Sequence, residues 1–200
     1  MDINILHDIS IKNLGASNRI RLRSAIHSNH LRAENIWVPD GKFTTLEHYE
    51  TFLEALLFAH KNYGLPAARA RTDADDIDEE NGRIIALSQD LCITDGRPPS
   101  IRAMSESYAW GVSYVLNGSA LGAATMLKTG YIHANWPHRY MNTARAYATS
   151  GRLARFFQDL DYSDINIDDA TRGASMVFSQ LAKRRSLTPA ASEPLAKDTG

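Results

Sequence analysis

Between Tyr108 and Gly130 the chain reads YAWGVSYVLNGSALGAATMLKTG, with no proline and no charged residue before Lys128. A run of that length and polarity predicts a helix. Its middle is unusual: it carries Gly111, Gly118 and Gly122, with Ser113, Ser119, Ala120, Ala123 and Ala124 among them. An internal glycine costs a helix about 1 kcal/mol against alanine, so a helix made only to fill a core would use leucine and methionine. Gly118 and Gly122 stand at i and i+4 and share one face. Bare backbone there admits either a flat, bulky ligand or a closely packed neighbouring helix, and it lets the helix bend. On spacing alone both readings stand.

The rest of the chain shows the same 3.6-residue pattern. Ser17 to Asn35 predicts an amphipathic helix with Ile20, Leu22, Ala25, Ile26, Asn29 and Ala33 partly in phase, capped by Ser17 or Asn18. Arg19, Arg21, Arg23 and Arg32 lie between those positions. After a turn at Pro39-Asp40-Gly41, Thr44 and Glu47 match a capping box. Leu46, Tyr49, Phe52, Leu53, Leu56 and Leu57 then mark a second helix with His60 in line, ended by Gly64 and Pro66. Residues 69–81 are acidic and weakly apolar, which predicts a loop or a solvated helix start, followed by a short helix from Gly82 to Leu91. Gly96 to Ser100, GRPPS, is a break. HANWPH at 133–138 interrupts the pattern, Tyr140 to Leu160 resumes it with a break near Ser150-Gly151, and Asp168 to Arg185 is a helix charged to suit its own dipole. No stretch alternates as a strand does. The expectation is an all-α single domain over 1–187, with a disordered tail over 188–200.

Composition narrows the class. At 200 residues, 44% hydrophobic and 22% charged, the chain can build a core without staples. A net charge of −1 gives no general attraction to nucleic acid or to an acidic membrane. Cys92 stands alone, which excludes an internal disulfide or a thiolate cluster and fits a reducing compartment. The N-terminus has no basic segment followed by an apolar run, so a cytoplasmic protein is expected.

Seven histidines are the main titratable candidates. His27 and His30, three apart, share a helix face, but the Glu and second His of a zinc protease are missing. No G-x-S-x-G elbow, phosphate-binding loop or C-x-x-C is present. An arginine-rich helix that carries a histidine, together with exposed glycine backbone elsewhere, suits a flat cofactor with one axial ligand and two carboxylates.

Those same residues carry a family resemblance. GVSYVLNGSALGA resembles the distal helix of bacterial heme oxygenases, whose pattern is close to G-x-x-Y-V-L-E-G-S-x-L-G-G. Leu22, Arg23, Ala25, His30, Ala33, Glu34 and Asn35 are similar to the family's proximal-histidine helix, L-R-x-A-x-x-x-x-H-x-x-A-E-N. ATRGASMVFSQL, Ala170 to Leu181, resembles its last core helix. The blocks come in family order and span Leu22 to about Arg185, and they look most like the heme oxygenases found beside bacterial phytochromes. The resemblance implies a helical bundle with heme between the proximal helix and a kinked distal helix. It makes His30 the iron ligand and Glu34 its helper, and it puts Gly118, Ser119 and Gly122 on the distal side. Arg23, Arg152 and Arg155 become contacts for the heme propionates. It implies cleavage of heme by O2 to biliverdin, ferrous iron and CO, with electrons from a separate reductase or ferredoxin, and a phytochrome as a possible recipient of the product.

Three positions depart from the pattern: Ile26 replaces a threonine, Asn117 a glutamate, and Ala123 the second paired glycine. They motivate one alternative, a heme- or bilin-binding protein that has lost turnover. His27 is a rival ligand without the A-E-N context. A thiaminase-like hydrolase would need Cys92 in the pocket, and a di-iron oxidase would need E-x-x-H spacing, which occurs nowhere in the chain.

Overall fold

A computed structural model of the protein describes residues 16–94 and 103–187, and these are helical with no strand among them. The helices are α1 (Asn18–Trp37), α2 (Leu46–Ala59), a π turn (His60–Gly64), α3 (Leu65–Ala70), α4 (Ala74–Asp90), α5 (Glu106–Thr129), α6 (Arg139–Thr149), α7 (Arg152–Tyr162) and α8 (Ile167–Leu187). The expected all-α architecture is therefore observed. The GRPPS break and the 188–200 tail lie outside the described residues. None of the described helices is long and apolar enough to cross a membrane.

The glycine-rich helix α5 is central. Its Trp110, Val112, Val115, Leu116 and Ala120 join a core that also takes Leu22 and Ile26 from α1, Leu53 and Leu56 from α2, Leu87 from α4, Met141 from α6, Leu160 from α7 and Val177 from α8. Helix α8 packs along both α5 and α1, while α6 covers another side of α5 and α4 packs on α6. The crossing of α5 and α8 is closest at two glycines. A Cβ on Gly111 would lie 1.8 Å from the Ala170 carbonyl oxygen, and one on Gly173 would lie 2.2 Å from that of Tyr108. The two backbones touch here, and nothing but glycine fits. Gly111→Ala is expected to destabilise the protein by about 3 kcal/mol, the upper range for overpacking, because backbone rather than a side-chain end must move. Urea denaturation followed by circular dichroism checks this; a loss under about 1 kcal/mol would contradict the close approach.

Several boundaries differ from the sequence expectation. Thr45, not Thr44, caps α2, its hydroxyl accepting from the His48 amide at 3.1 Å. The register is one residue later, so Glu47 no longer sits where the capping box needs it. Gly64 and Pro66 do not end the helix. The Leu65 amide bonds to the His60 carbonyl, five residues back, and the chain passes through one π turn into α3 with Pro66 in its first turn, where a missing N–H costs little. The acidic stretch is mostly helix: the Asp73 carboxylate accepts from the Asp76 amide and starts α4 at Ala74, well before Gly82. The break at Ser150-Gly151 is real, with Gly151 at φ +84°.

Candidate functional site

Helix α1 has two stripes. Leu22, Ile26 and Trp37 are buried, and Asn29 donates to Ser175 Oγ of α8 at 2.8 Å, so this stripe is fixed to α8. The neighbouring stripe is Arg23, His27, His30 and Glu34, all exposed. The spacing of 4, 3 and 4 residues lines these four up along α1. The His30 side chain is 64% exposed and its Nδ1 lies 3.9 Å from Glu34 Oε2, with Glu34 at 56%. At that distance the two make no close hydrogen bond. The His30 ring meets Phe178 of α8 edge-on, centroids 6.0 Å apart.

The glycine helix supplies the opposite feature. A Cβ added at Gly118 or at Gly122 would meet nothing within 4 Å. Close helix packing therefore accounts for Gly111 and not for these two, whose backbone faces open space. The helix runs unbroken through both. Helices α1 and α5 make little direct contact with each other, and α8 lies against both. At one end the two are nonetheless within electrostatic reach. Burial raises the pKa of Tyr114 on α5, and Arg23 and Arg19 of α1 pull it back part of the way. Arg19 itself stands over Phe157, 5.6 Å from the ring centroid, and pairs with Asp161 at 3.8 Å. The polar stripe of α1 and the bare glycine backbone of α5 thus sit on two helices that both pack against α8.

Ser119 is half-buried beside Gly118, but its hydroxyl belongs to a network behind α5. Ser119 Oγ lies 2.6 Å from the Leu116 carbonyl and 3.2 Å from Tyr140 Oη. Tyr140 Oη is 3.2 Å from His60 Nε2, and His60 Nδ1 is 2.6 Å from Glu80 Oε2. Arg83 Nη1 donates to Glu80 Oε1 at 2.9 Å and to Asn117 Oδ1 at 2.8 Å, which returns the chain to α5. All of these but Ser119 are buried. Burial alone would raise the Glu80 pKa, but His60 and Arg83 beside it outweigh that and hold it below the usual carboxylate value. Burial raises the pKa of Tyr140, only partly opposed by its contact with Ser119 and by Arg83. Asp90, at the C-terminal end of α4, accepts the Arg139 and Tyr140 amides at 3.0 and 2.9 Å and so caps α6 and fixes where Tyr140 begins. A Cβ at Gly64 would lie 2.5 Å from Glu80 Oε2, so the π turn and its glycine make room for this carboxylate.

The other expected site residues divide. Arg23 lies on the His30 stripe, toward Tyr114. Arg152 reaches across to form an ion pair with Glu79 of α4, and Arg155 is exposed on α7. Neither is brought to the His30 stripe by a contact. All three departures from the heme-oxygenase pattern fall on packed positions: Ile26 is 3% exposed, Ala123 3%, and Asn117 4% with its side chain on Arg83. Cys92 is exposed on a turn. Among the described residues no three His, Cys, Asp or Glu side chains group to hold a metal ion. No protein-family model matches the chain, and no curated protein matches its sequence.

Proposed function

We propose that the protein is a heme oxygenase that binds heme between the His30 stripe of α1 and the Gly118–Gly122 face of α5. The observation that carries this is the open backbone at those two glycines, since a helix has no packing reason to keep them there. The residues fit the group in three respects. His30 is exposed, backed by Glu34, and offers one axial ligand; Arg23 on the same stripe can meet a carboxylate; Phe178 gives an apolar floor. Bound heme supplies the iron that activates O2 and is itself the substrate, opened to biliverdin with release of iron and CO.

The chain contributes binding and exclusion of alternatives. His30 would hold the iron through a ring nitrogen, with Glu34 one turn on beside that ring. Bare backbone at Gly118 and Gly122 would let a flat macrocycle approach α5 closely and leave little room for a second substrate. Electrons must come from a separate reductase or ferredoxin, and a phytochrome is a fitting recipient for the bilin. The turnover-dead binder is the weaker reading, because Ile26, Asn117 and Ala123 lie on the packed side and leave the open face as the family pattern has it.

The test is hemin titration followed by ascorbate or reduced ferredoxin in air. A Soret band that decays into the broad red absorption of biliverdin is expected. A Soret band that persists unchanged would favour the binding protein, and the absence of any Soret band would end the heme reading. A second result separates function from fold. Gly118→Ala should stabilise the apoprotein by up to about 1 kcal/mol, since the methyl meets nothing and alanine is the better helix former. The same change should weaken hemin binding at least about tenfold, a loss of about 1.4 kcal/mol, by intruding on the ligand space. Destabilisation with unchanged hemin affinity would mean that Gly118 serves packing.

A further inference from the structure

The stripe that joins α1 to the core is Leu22, Ile26, Asn29, Ala33 and Ile36, spaced 4, 3, 4 and 3 residues apart. Asn29 is its one polar member. A leucine there would bury more apolar surface and need no partner, whereas a half-buried amide is costly unless it is bonded. The bond is present: Asn29 Nδ2 donates to Ser175 Oγ of α8 at 2.8 Å. It falls where α1 is otherwise least anchored, since residues 27–36 include none that is fully buried. Apolar packing is non-directional, but a hydrogen bond fails steeply with distance and angle, so this one tolerates neither a turn of α1 about its axis nor a slide along α8. The next residue supplies a second point. His30 meets Phe178 edge-on, with centroids 6.0 Å apart and planes at 81°. Ser175 and Phe178 are three apart and share a face of α8, while Asn29 and His30 project about 100° apart around α1. Two contacts in different directions onto one face fix both rotation and register. A lone asparagine in the seam of a coiled coil does the same, setting register at a cost in stability.

We infer that Asn29 and Ser175 form a register pin between α1 and α8, and that Asn29 is a positioning residue for His30, the axial ligand of the proposed site. The inference rests on the reading of His30 as that ligand. Asn29 and Ser175 act through His30. Without the pin, α1 keeps its buried anchors at Ile26 and Trp37 and stays on the bundle. The turns between those anchors then settle in more than one register, and His30 moves with them.

Asn29→Leu separates pinning from packing. Leucine is the better helix former and needs no partner, so the urea midpoint of the free protein should equal or exceed the parent's. Hemin affinity should nonetheless fall about tenfold, the lower range for losing a group that orients a metal ligand. The iron–histidine stretching band of the ferrous heme protein should broaden or shift in resonance Raman spectra. Ser175→Ala should reproduce the affinity loss, the double variant should add little to it, and Ser175→Thr, which keeps the hydroxyl, should match the parent. An Asn29→Leu protein with a lowered midpoint, parental hemin affinity and an unmoved band would overturn the pin, as would single losses that simply add. One readout needs no heme. In the free full chain labelled with 15N-histidine, with His30 identified by comparison with His30→Gln, its ring signals should shift in Asn29→Leu and in Ser175→Ala, because the Phe178 ring current acts on them. Unmoved His30 signals would overturn the inference while leaving the heme-oxygenase reading intact. If the parent binds no hemin but these signals move, the heme reading fails and the register pin stands.

Discussion

Glu80→Gln is expected to lower the unfolding free energy by about 3–5 kcal/mol, the cost of removing one partner from a buried ion pair. The amide cannot serve both neighbours. Its oxygen can accept from either His60 or Arg83, and its NH2 then faces the other donor across less than 3 Å in the parent geometry. Arg83, 1% exposed, would be left with a charge and no carboxylate. For a domain of this size the loss corresponds to roughly 6–20 °C in melting temperature. The dependence on pH has a definite sign. The Glu80 pKa is lowered by folding, so its stabilisation is present above the unfolded carboxylate value and is lost as pH falls through the folded one. The gap between parent and Glu80→Gln should therefore be widest near neutrality and close on the acid side. Urea denaturation at neutral and acid pH measures it; a neutral-pH loss below about 1 kcal/mol would mean the buried pair is not stabilising as described.

His30→Ala is expected to do the opposite: little to the fold and nearly everything to function. An exposed side chain away from caps and cores usually changes stability by no more than about 0.5 kcal/mol, and His30 is 64% exposed. If His30 ligates iron, its loss should move the Soret band of added hemin, lower affinity and reduce biliverdin formation by at least about 100-fold, as loss of an essential catalytic group does. Added imidazole should restore part of the spectrum by occupying the vacated position. Parental turnover in His30→Ala would refute the assignment, and loss of the axial ligand in His27→Ala instead would move it one turn.

Much of the helical layout was legible, because amphipathic helices declare themselves in period and caps. The break at Ser150-Gly151 could be read from its residues alone. Where reading failed, tertiary contacts outweighed local signals. Gly64 and Pro66 are ordinary stop signals; here the helix continues because a π turn accommodates the glycine against the Glu80 carboxylate. The acidic run before Gly82 looked too polar to pack, yet Glu80 and Arg83 within α4 are buried because each compensates the other. The candidate site divides along the same line. The His30 stripe and the two glycines could be picked out because each is a pattern on one helix. The network could not, since His60, Glu80, Arg83, Asn117 and Tyr140 come from the π turn and three helices, and beyond the Glu80–Arg83 pair on α4 they share no sequence spacing. The one available hint was His60 in line with an apolar stripe, where a polar ring needs partners.

The paired glycines Gly111 and Gly173 have a mechanical consequence. Where two backbones touch, neither helix can slide or tilt without collision, so α5 and α8 behave as one rigid bracket. Helix α1 is held to that bracket by side chains, among them Asn29 on Ser175, and to α7 by Asn18 on the Leu160 and Ser163 carbonyls. If heme seats between α1 and α5 as proposed, adjustment to it falls on α1, the movable jaw of a vice whose other jaw is fixed. Hydrogen exchange should find α1 opening more often than α5 in the free protein, and slowing most when the vice is full.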